Sequence, residues 1–333
     1  MMLTQKEDKP MRQNVRTVIA LLVCVLMLGA TVVFANPDIG NEFKGLWDRQ
    51  DLPVQQQLTD RSWTWGPTVS DVLLEELNQG VNGQRRVQYF EKSRMEINDP
   101  NAAPNSQWYI TNGLLPIEMM TGKMQIGYDF GTEYKMRGQA NISVIGDPDN
   151  YPSYANLLPI YENPGNVEPA QLNKPVTNML NPDGSVAEFT DYSNDANTVL
   201  VQGENGHGVI QAFVNFMNQE GVVYENGQLV RWQIYSPPVF VFGKPVTEPY
   251  WVKAKVGGNE VPILFQIFER RVLTYNPANP PAFRVEMGNV GMHYYQWRYG
   301  STPPSQPTPT SEPSQPTPTS EPSQPTPTAV PYP

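Results

Sequence analysis

The chain has 333 residues, a net charge of −10, 39% hydrophobic and only 17% charged residues. That length allows one large domain or two ordinary ones, and the acidic balance excludes the basic footprint of a nucleic-acid binder. The one cysteine, Cys24, lies in an N-terminal apolar run, so the folded part has no disulfide and no thiol nucleophile and must be held by packing. With 34 Pro, 25 Gly and 11% aromatic residues, the composition suits many short strands joined by turns. The expected class is α+β and β-rich, with one clear amphipathic helix.

In chain order, residues 1–35 read first. Lys6, Lys9, Arg12 and Arg16 precede an apolar run from Thr17 to Ala35, closed by small residues at Val33 and Ala35. This is the order of an export signal. The run is also long enough for a membrane span, which takes ~20 residues, so cleavage after Ala35 and retention as an anchor are the two expected outcomes. Both place the rest outside the cytoplasm, secreted or on the cell surface. The membrane is an expected partner only through an uncleaved N-terminal segment.

Next come two segments that resemble each other. The first, expected over 43–120, contains "WGPTVSDVLLEEL", "RVQYFEKSRMEI" and "WYITNGLL"; the second, expected over 205–300, contains "FGKPVTEPYWVKA", "LFQIFERRVLTY" and "FRVEMGNVG". The three signals recur in the same order at offsets of 175 to 178 residues, so the sequence predicts an ancient duplication. "WGP" and "FGKP" are turn chemistry. In the middle signal Val87 and Tyr89 alternate with Gln88 and Phe90, and Met95 and Ile97 with Arg94 and Glu96. That predicts a hairpin bending near Glu91–Ser93. Phe265, Ile267, Leu273 and Tyr275 are the apolar set of the second copy. A short further strand follows each hairpin and ends at Gly113 or Gly288, where close backbone approach or a positive φ is expected. One hairpin cannot bury its own apolar face, so the copies are expected to share a core.

Between them, 121–204 reads as a β-rich connector. "GHGVIQAFVNFMNQEG", Gly206 to Gly221, carries Val209, Ile210, Phe213, Phe216 and Met217 on one helical face, with Gly221 as its stop. Residues 301–333 hold 12 of the prolines in a repeated "SEPSQPTPT", which predicts a disordered, extended spacer with Ser and Thr available for glycosylation.

The order aromatic-Gly-Pro, "QYFE" or "QIFER", then "NG" or "MG" is similar to a repeat of exported proteins in filamentous green bacteria. "GDPDNYPSYANL" also looks like a piece of them. More distantly, the unit resembles the LGFP repeat of bacterial cell-wall-associated proteins. Where that repeat bends through a Gly pair, this chain has Lys92–Ser93 and Arg270–Arg271. The resemblance implies attachment to the envelope and no chemistry.

Catalytic patterns are missing. No HExxH zinc motif, GxSxG elbow, P-loop or GxGxxG appears. Glu91 and Glu269 recur at equivalent bends beside Lys92 and Arg270, which reads as a bend constraint rather than an acid–base pair. Asp147, Asp149 and Asn150 read as an Asx-rich turn in preference to a calcium loop. His207 is expected at the start of the predicted helix as a structural residue. Tyr294, Tyr295, Trp297 and Tyr299, near His293, are expected to clamp the last element to the core, with a sugar-stacking platform as the alternative. These four and His207 are the candidate ligand-binding residues; no catalytic, cofactor or metal residue is expected. The favoured function is a non-catalytic, envelope-associated binding or scaffold protein for cell-wall glycan. The alternatives are a secreted hydrolase acting on polysaccharide or wall polymer, and an adhesion subunit that binds a surface protein.

Overall fold

The computed structural model describes residues 37–148, 150–162 and 172–300; the expected signal, the expected spacer and Asp149 lie outside the described residues. The fold is α+β and rich in strands. It opens with α1 (Asn41–Gln55), then the Trp65–Pro67 turn. A meander follows: β1 (Leu73–Glu76), β2 (Gln84–Tyr89), β3 (Arg94–Ile97) and β4 (Thr111–Asn112), then α2 (Leu115–Thr121). Next come the hairpin β5 (Lys123–Gln125) and β6 (Tyr134–Met136), α3 (Tyr154–Glu162), β7 (Asn178–Leu180), β8 (Val186–Glu188), and the pair β9 (Leu200–Glu204) and β10 (His207–Ile210). The remainder is α4 (Gln211–Met217), hairpin β11 (Glu220–Glu225) and β12 (Gln228–Gln233), α5 (Pro238–Phe242), a second meander β13 (Tyr250–Val256), β14 (Asn259–Ile267), β15 (Val272–Tyr275) and β16 (Val285–Met287), and α6 (Val290–Tyr299).

The first sheet runs β1-β2-β3-β4; the second runs β16-β15-β14-β13-β7-β8. Strands β7 and β8 come from the connector yet extend the second sheet, β7 lying parallel to β13. The two meanders pair in one pattern. Leu73 faces Val87 as Tyr250 faces Phe265; Tyr89 faces Arg94 as Ile267 faces Val272; Met95 faces Asn112 as Leu273 faces Met287. At the bends, Phe90 N–H donates to the Ser93 carbonyl and Phe268 N–H to the Arg271 carbonyl, both at 2.8 Å.

The aromatic-Gly turns brace these bends. Gly66 (φ 78°) and Gly243 (φ 70°) sit in the left-handed region, where only glycine is unstrained. A Cβ at either would lie 2.8 Å from Glu91 Cβ or 2.6 Å from Glu269 Cβ. Glu91 N–H and Glu269 N–H donate to the Pro67 and Lys244 carbonyls, and Glu269 Oε2 accepts from Lys244 N–H at 3.0 Å. The Glu at each bend thus closes the turn. A second matched device is amide-based: buried Gln88 donates to the Asp38 and Ser70 carbonyls, and buried Gln266 to the Gly208 and Thr247 carbonyls. Each ties the segment before a helix to its sheet.

Several expectations change. The helix expected over Gly206–Gly221 covers only Gln211–Met217. His207–Ile210 is a strand because Asn205 (φ 53°) and Gly206 (φ 81°) form a hairpin turn that pairs it with β9. Gly221 does not stop the helix; it pairs with Trp232 in β11–β12. The longest helix among the described residues, α1, has no clear sequence signal: its buried stripe Phe43, Trp47, Gln50, Asp51 is half polar, and Gly45 and Pro53 interrupt it. Gly113 and Gly288 keep ordinary φ and serve close approach; a Cβ on Gly113 would stand 2.8 Å from Glu96 Oε1.

Both sheets carry buried residues on both faces. One core gathers Trp65, Phe90, Met95 and Ile97 with Phe213, Phe242, Leu264, Phe268 and Leu273. The other gathers Val87 and Tyr89 with α2, α6 and Phe265, Ile267 and Val272. The two meanders also exchange contacts. Lys92 Nζ donates to Asn289 Oδ1 at 2.6 Å and Met292 N–H to the Glu91 carbonyl at 3.1 Å, while Arg270 Nε donates to the Asn112 carbonyl at 3.4 Å. Each bend therefore meets the segment before the other half's helix.

Candidate functional site

The most heavily charged part of the interior lies between the first sheet and α6. Sequence alternation put Arg94 and Glu96 opposite the apolar Met95 and Ile97. In the fold all four β3 residues are buried, because α2 and α6 cover the face that carries the charges. There Glu75, Arg85, Arg94, Glu96 and Glu118 are buried, and Arg298 closes over them. Three carboxylates meet three guanidiniums. Arg94 reaches Glu75 at 3.2 Å, Glu96 at 2.5 Å and Glu118 at 3.4 Å; Arg85 reaches Glu75 and Glu96, both at 3.4 Å; Arg298 reaches Glu75 at 3.3 Å. Tyr89 and Tyr299 hydroxyls donate to Glu75 Oε1, and the Tyr294 hydroxyl donates to Glu118.

Burial alone would raise the Glu75 carboxyl, but Arg94, then Arg298, Arg85 and the Tyr89 hydroxyl bring it down to about 2. Burial likewise opposes ionisation of Glu96, and Arg85 and Arg94 outweigh it, so Glu96 is lowered. Burial pulls the Arg94 guanidinium down, and Glu96, Tyr89 and Glu75 lift it well above its ordinary value. Acids this strong and a base this well paired do not exchange protons near neutral pH. The cluster clamps α6 to the sheet through the Arg298 and Tyr299 contacts to Glu75 and the Tyr294 contact to Glu118.

The equivalent face of the second sheet has none of this. Glu75, Arg85, Tyr89, Arg94 and Glu96 correspond in register to Val252, Ile263, Ile267, Val272 and Thr274. That comparison was available in the sequence and is the signal that would have revealed the buried face.

The predicted ligand residues divide. Tyr294 (0% exposed) and Trp297 (9%) are buried. Tyr294 stacks on Tyr89 at 5.9 Å, and Trp297 Nε1 donates to the Gly138 carbonyl at 3.0 Å. Tyr295 is half-buried, and Tyr299, though 43% exposed, spends its hydroxyl on Glu75. Tyr294 and Trp297 clamp α6 to the core, while Tyr295 and Tyr299 stay partly exposed at its edge. His207 lies apart in β10, with Nδ1 3.2 Å from Glu248 Oε1. Asp147 accepts from the Gly257 and Gly258 N–H groups, and Asn150 pairs with the Lys255 backbone, so both fasten the β13–β14 turn. Among the described residues no group of three or more His, Cys, Asp or Glu could hold a metal ion.

A surface cleft of about 630 Å³ lies beside α1. Trp47, Trp63, Pro37 and Pro67 supply its apolar lining; Asp38, Asn41, Lys44 and Gln55 supply polar groups. The Trp rings stand 6.0 Å apart, and Trp47 Nε1 is anchored on the Gly66 carbonyl at 2.8 Å. Trp63 is the half-buried member. Sequence reading passed over it because "RSWTWGP" reads as turn chemistry.

The fold and these sites define a β-rich α+β protein built around two antiparallel meanders of one pairing pattern. Comparison with protein-family models, curated proteins and solved structures finds no match.

Proposed function

We propose that the chain is a non-catalytic, extracytoplasmic binding module of the cell envelope, built by duplication of one meander-and-helix unit, with a glycan as its ligand. The Trp63 cleft carries this reading. Sugar rings present C–H faces that match an aromatic ring, and their hydroxyls need donors and acceptors around it. Trp63, seated against the buried Trp47, supplies the ring, and the carboxylate, ammonium and amides of Asp38, Lys44, Asn41 and Gln55 supply the polar groups. The expected export signal and the Pro/Thr/Ser spacer support an envelope location. The buried Glu cluster supports a holding role, since its carboxylates are committed to arginines.

The test is retention of the purified protein on cell wall and on a polysaccharide panel, with Trp63→Ala and Lys44→Ala compared. Wild-type retention lost in Trp63→Ala supports the proposal. Equal retention of all three, or release of reducing ends from any polysaccharide, overturns it.

A further inference from the structure

The bend of the first meander meets the segment before α6 at one polar contact. Lys92 Nζ donates to Asn289 Oδ1 at 2.6 Å, across 197 positions of sequence, and Glu91 Oε1 lies 3.0 Å from the same Nζ. The Lys92 and Glu91 side chains are only 13% and 18% exposed. Main-chain bonds fix the three residues. Lys92 N–H donates to the Trp65 carbonyl at 2.8 Å, Glu91 N–H to the Pro67 carbonyl at 2.9 Å, Met292 N–H to the Glu91 carbonyl at 3.1 Å, and His293 N–H to the Asn289 carbonyl at 2.9 Å. Gly291 allows α6 this close to the bend; a Cβ there would collide with the Phe90 and Ser93 carbonyls.

Asn289 departs from the habit of its position. It precedes the first turn of α6, where an Asn side chain ordinarily accepts from a helix N–H. It makes no such capping bond, and its amide is turned to Lys92 instead. The second meander supplies the contrast. There the cation at the bend is Arg270, whose Nε meets the main-chain carbonyl of Asn112 at 3.4 Å. A guanidinium stays protonated and is no nucleophile. The first bend sets a primary amine against a side-chain carboxamide, with a carboxylate beside the amine.

We infer that Lys92 and Asn289 join in an isopeptide bond, which the folded chain forms on itself with Glu91 as the catalytic carboxylate. Asn289 turns about its soft Cβ–Cγ torsion so that Cγ faces Nζ. Glu91 takes a proton from the Lys92 ammonium, and the freed electron pair attacks Cγ. The Nζ–Cγ bond forms while the carbonyl π pair moves onto Oδ1; that pair then returns and the Cγ–Nδ2 bond breaks. Of the three ammonium protons, one stays on the new amide nitrogen. The other two pass through Glu91 to Nδ2, which leaves as an ammonium ion. Atoms and charge balance, Glu91 is regenerated, and no oxidant or second substrate is consumed. The fold supplies the proximity that so unreactive a pair needs. The surroundings resist charge: burial raises the nearby Glu286 carboxyl against the pull of Lys92, and burial lowers His293. A neutral amide takes one charge out of them. The bond would tie the first sheet to the last helix in a body that has no cysteine. It is independent of the glycan cleft.

The test is tryptic digestion and mass spectrometry of the purified full chain. Peptide 87–94, uncut at Lys92, should appear joined to peptide 285–298, lighter by one ammonia than the two together. Lys92→Arg, which keeps the charge, and Asn289→Ala should give no joined pair. Glu91→Gln should leave the pair unjoined although both reacting residues remain. A wild-type digest in which Lys92 is cut and peptide 285–298 runs alone overturns the inference. A joined pair in Glu91→Gln to the wild-type extent overturns the part assigned to Glu91.

Discussion

Replacing Glu75 by Gln removes the negative charge on which Arg85, Arg94 and Arg298 converge at 3.2 to 3.4 Å. A carboxyl held at about 2 in place of its ordinary 4.5 corresponds to roughly 3 kcal/mol in favour of the ionised form. Breaking a buried ion pair from one side costs about 3–5 kcal/mol. The two figures agree, and we expect Glu75→Gln to lose about 3 kcal/mol or more. Removing the four charges that the sheet contributes, and leaving Glu118 and Arg298 on either side of the Tyr294 hydroxyl, should behave differently. Changing Glu75, Arg85, Arg94 and Glu96 to the Val, Ile, Val and Thr that the second sheet carries takes away two charges of each sign. Well-packed apolar replacement of buried ions is often neutral or stabilising by about 1–4 kcal/mol. The fourfold variant should therefore be more stable than the single one. Urea unfolding followed by Trp fluorescence gives both values through the midpoint and slope. The pH dependence gives a second readout. The Glu75 carboxyl is depressed in the fold, so its contribution is complete above about pH 4.5 and disappears as the pH falls toward 2. Wild type should lose roughly 3 kcal/mol over that interval relative to Glu75→Gln. A single variant within about 1 kcal/mol of wild type, or a fourfold variant less stable than the single one, would refute this account of the cluster.

Four further outcomes follow from named contacts. Burial, then the Lys92 charge, lowers His293 to about 4; a histidine depressed in the fold stabilises above its unfolded value of 6.5 and loses that contribution as the pH falls toward 4. His293→Gln should flatten the stability profile between those values, by at most about 3 kcal/mol, as read by urea midpoints at stepped pH. Gly66→Ala and Gly243→Ala should each cost about 1–3 kcal/mol for the left-handed backbone, with further loss from the Glu91 or Glu269 clash. Gln266→Leu leaves the Gly208 and Thr247 carbonyls without their buried donor and should cost about 1–3 kcal/mol in the same assay. Trp63→Ala should weaken polysaccharide retention about tenfold, measured by affinity electrophoresis at a temperature where calorimetry shows the variant folded.

Much of the meander architecture was legible because alternation and matched spacing are local signals. The bends at Glu91–Ser93 and Glu269–Arg271 follow from the "QYFEKS" and "QIFERR" spacing, and the structure places them in one register. The apolar residues of the shortened helix were identified as buried, yet the element was read too long. Asn205-Gly206 is a hairpin signal that overrides helical spacing, and the same dipeptide at 226–227 makes the β11–β12 turn. The charged layer stayed hidden for a different reason. Arg94 and Glu96 look outward in any two-state hydropathy pattern, and the packing of α2 and of the distant α6 turns that face inward. The Trp63 cleft is assembled by α1 and a turn, with no periodic pattern to mark it.

The span between Glu75 and Tyr299, whose hydroxyl closes over it across 224 positions, has a kinetic consequence. The charges of Glu75, Glu96, Arg85 and Arg94 balance within the first sheet, but Glu75 lacks its Arg298 and Tyr299 partners until the last helix has emerged, so synthesis of the first half alone yields no finished subdomain. Such distant closure makes folding slow and all-or-none relative to a chain of local contacts.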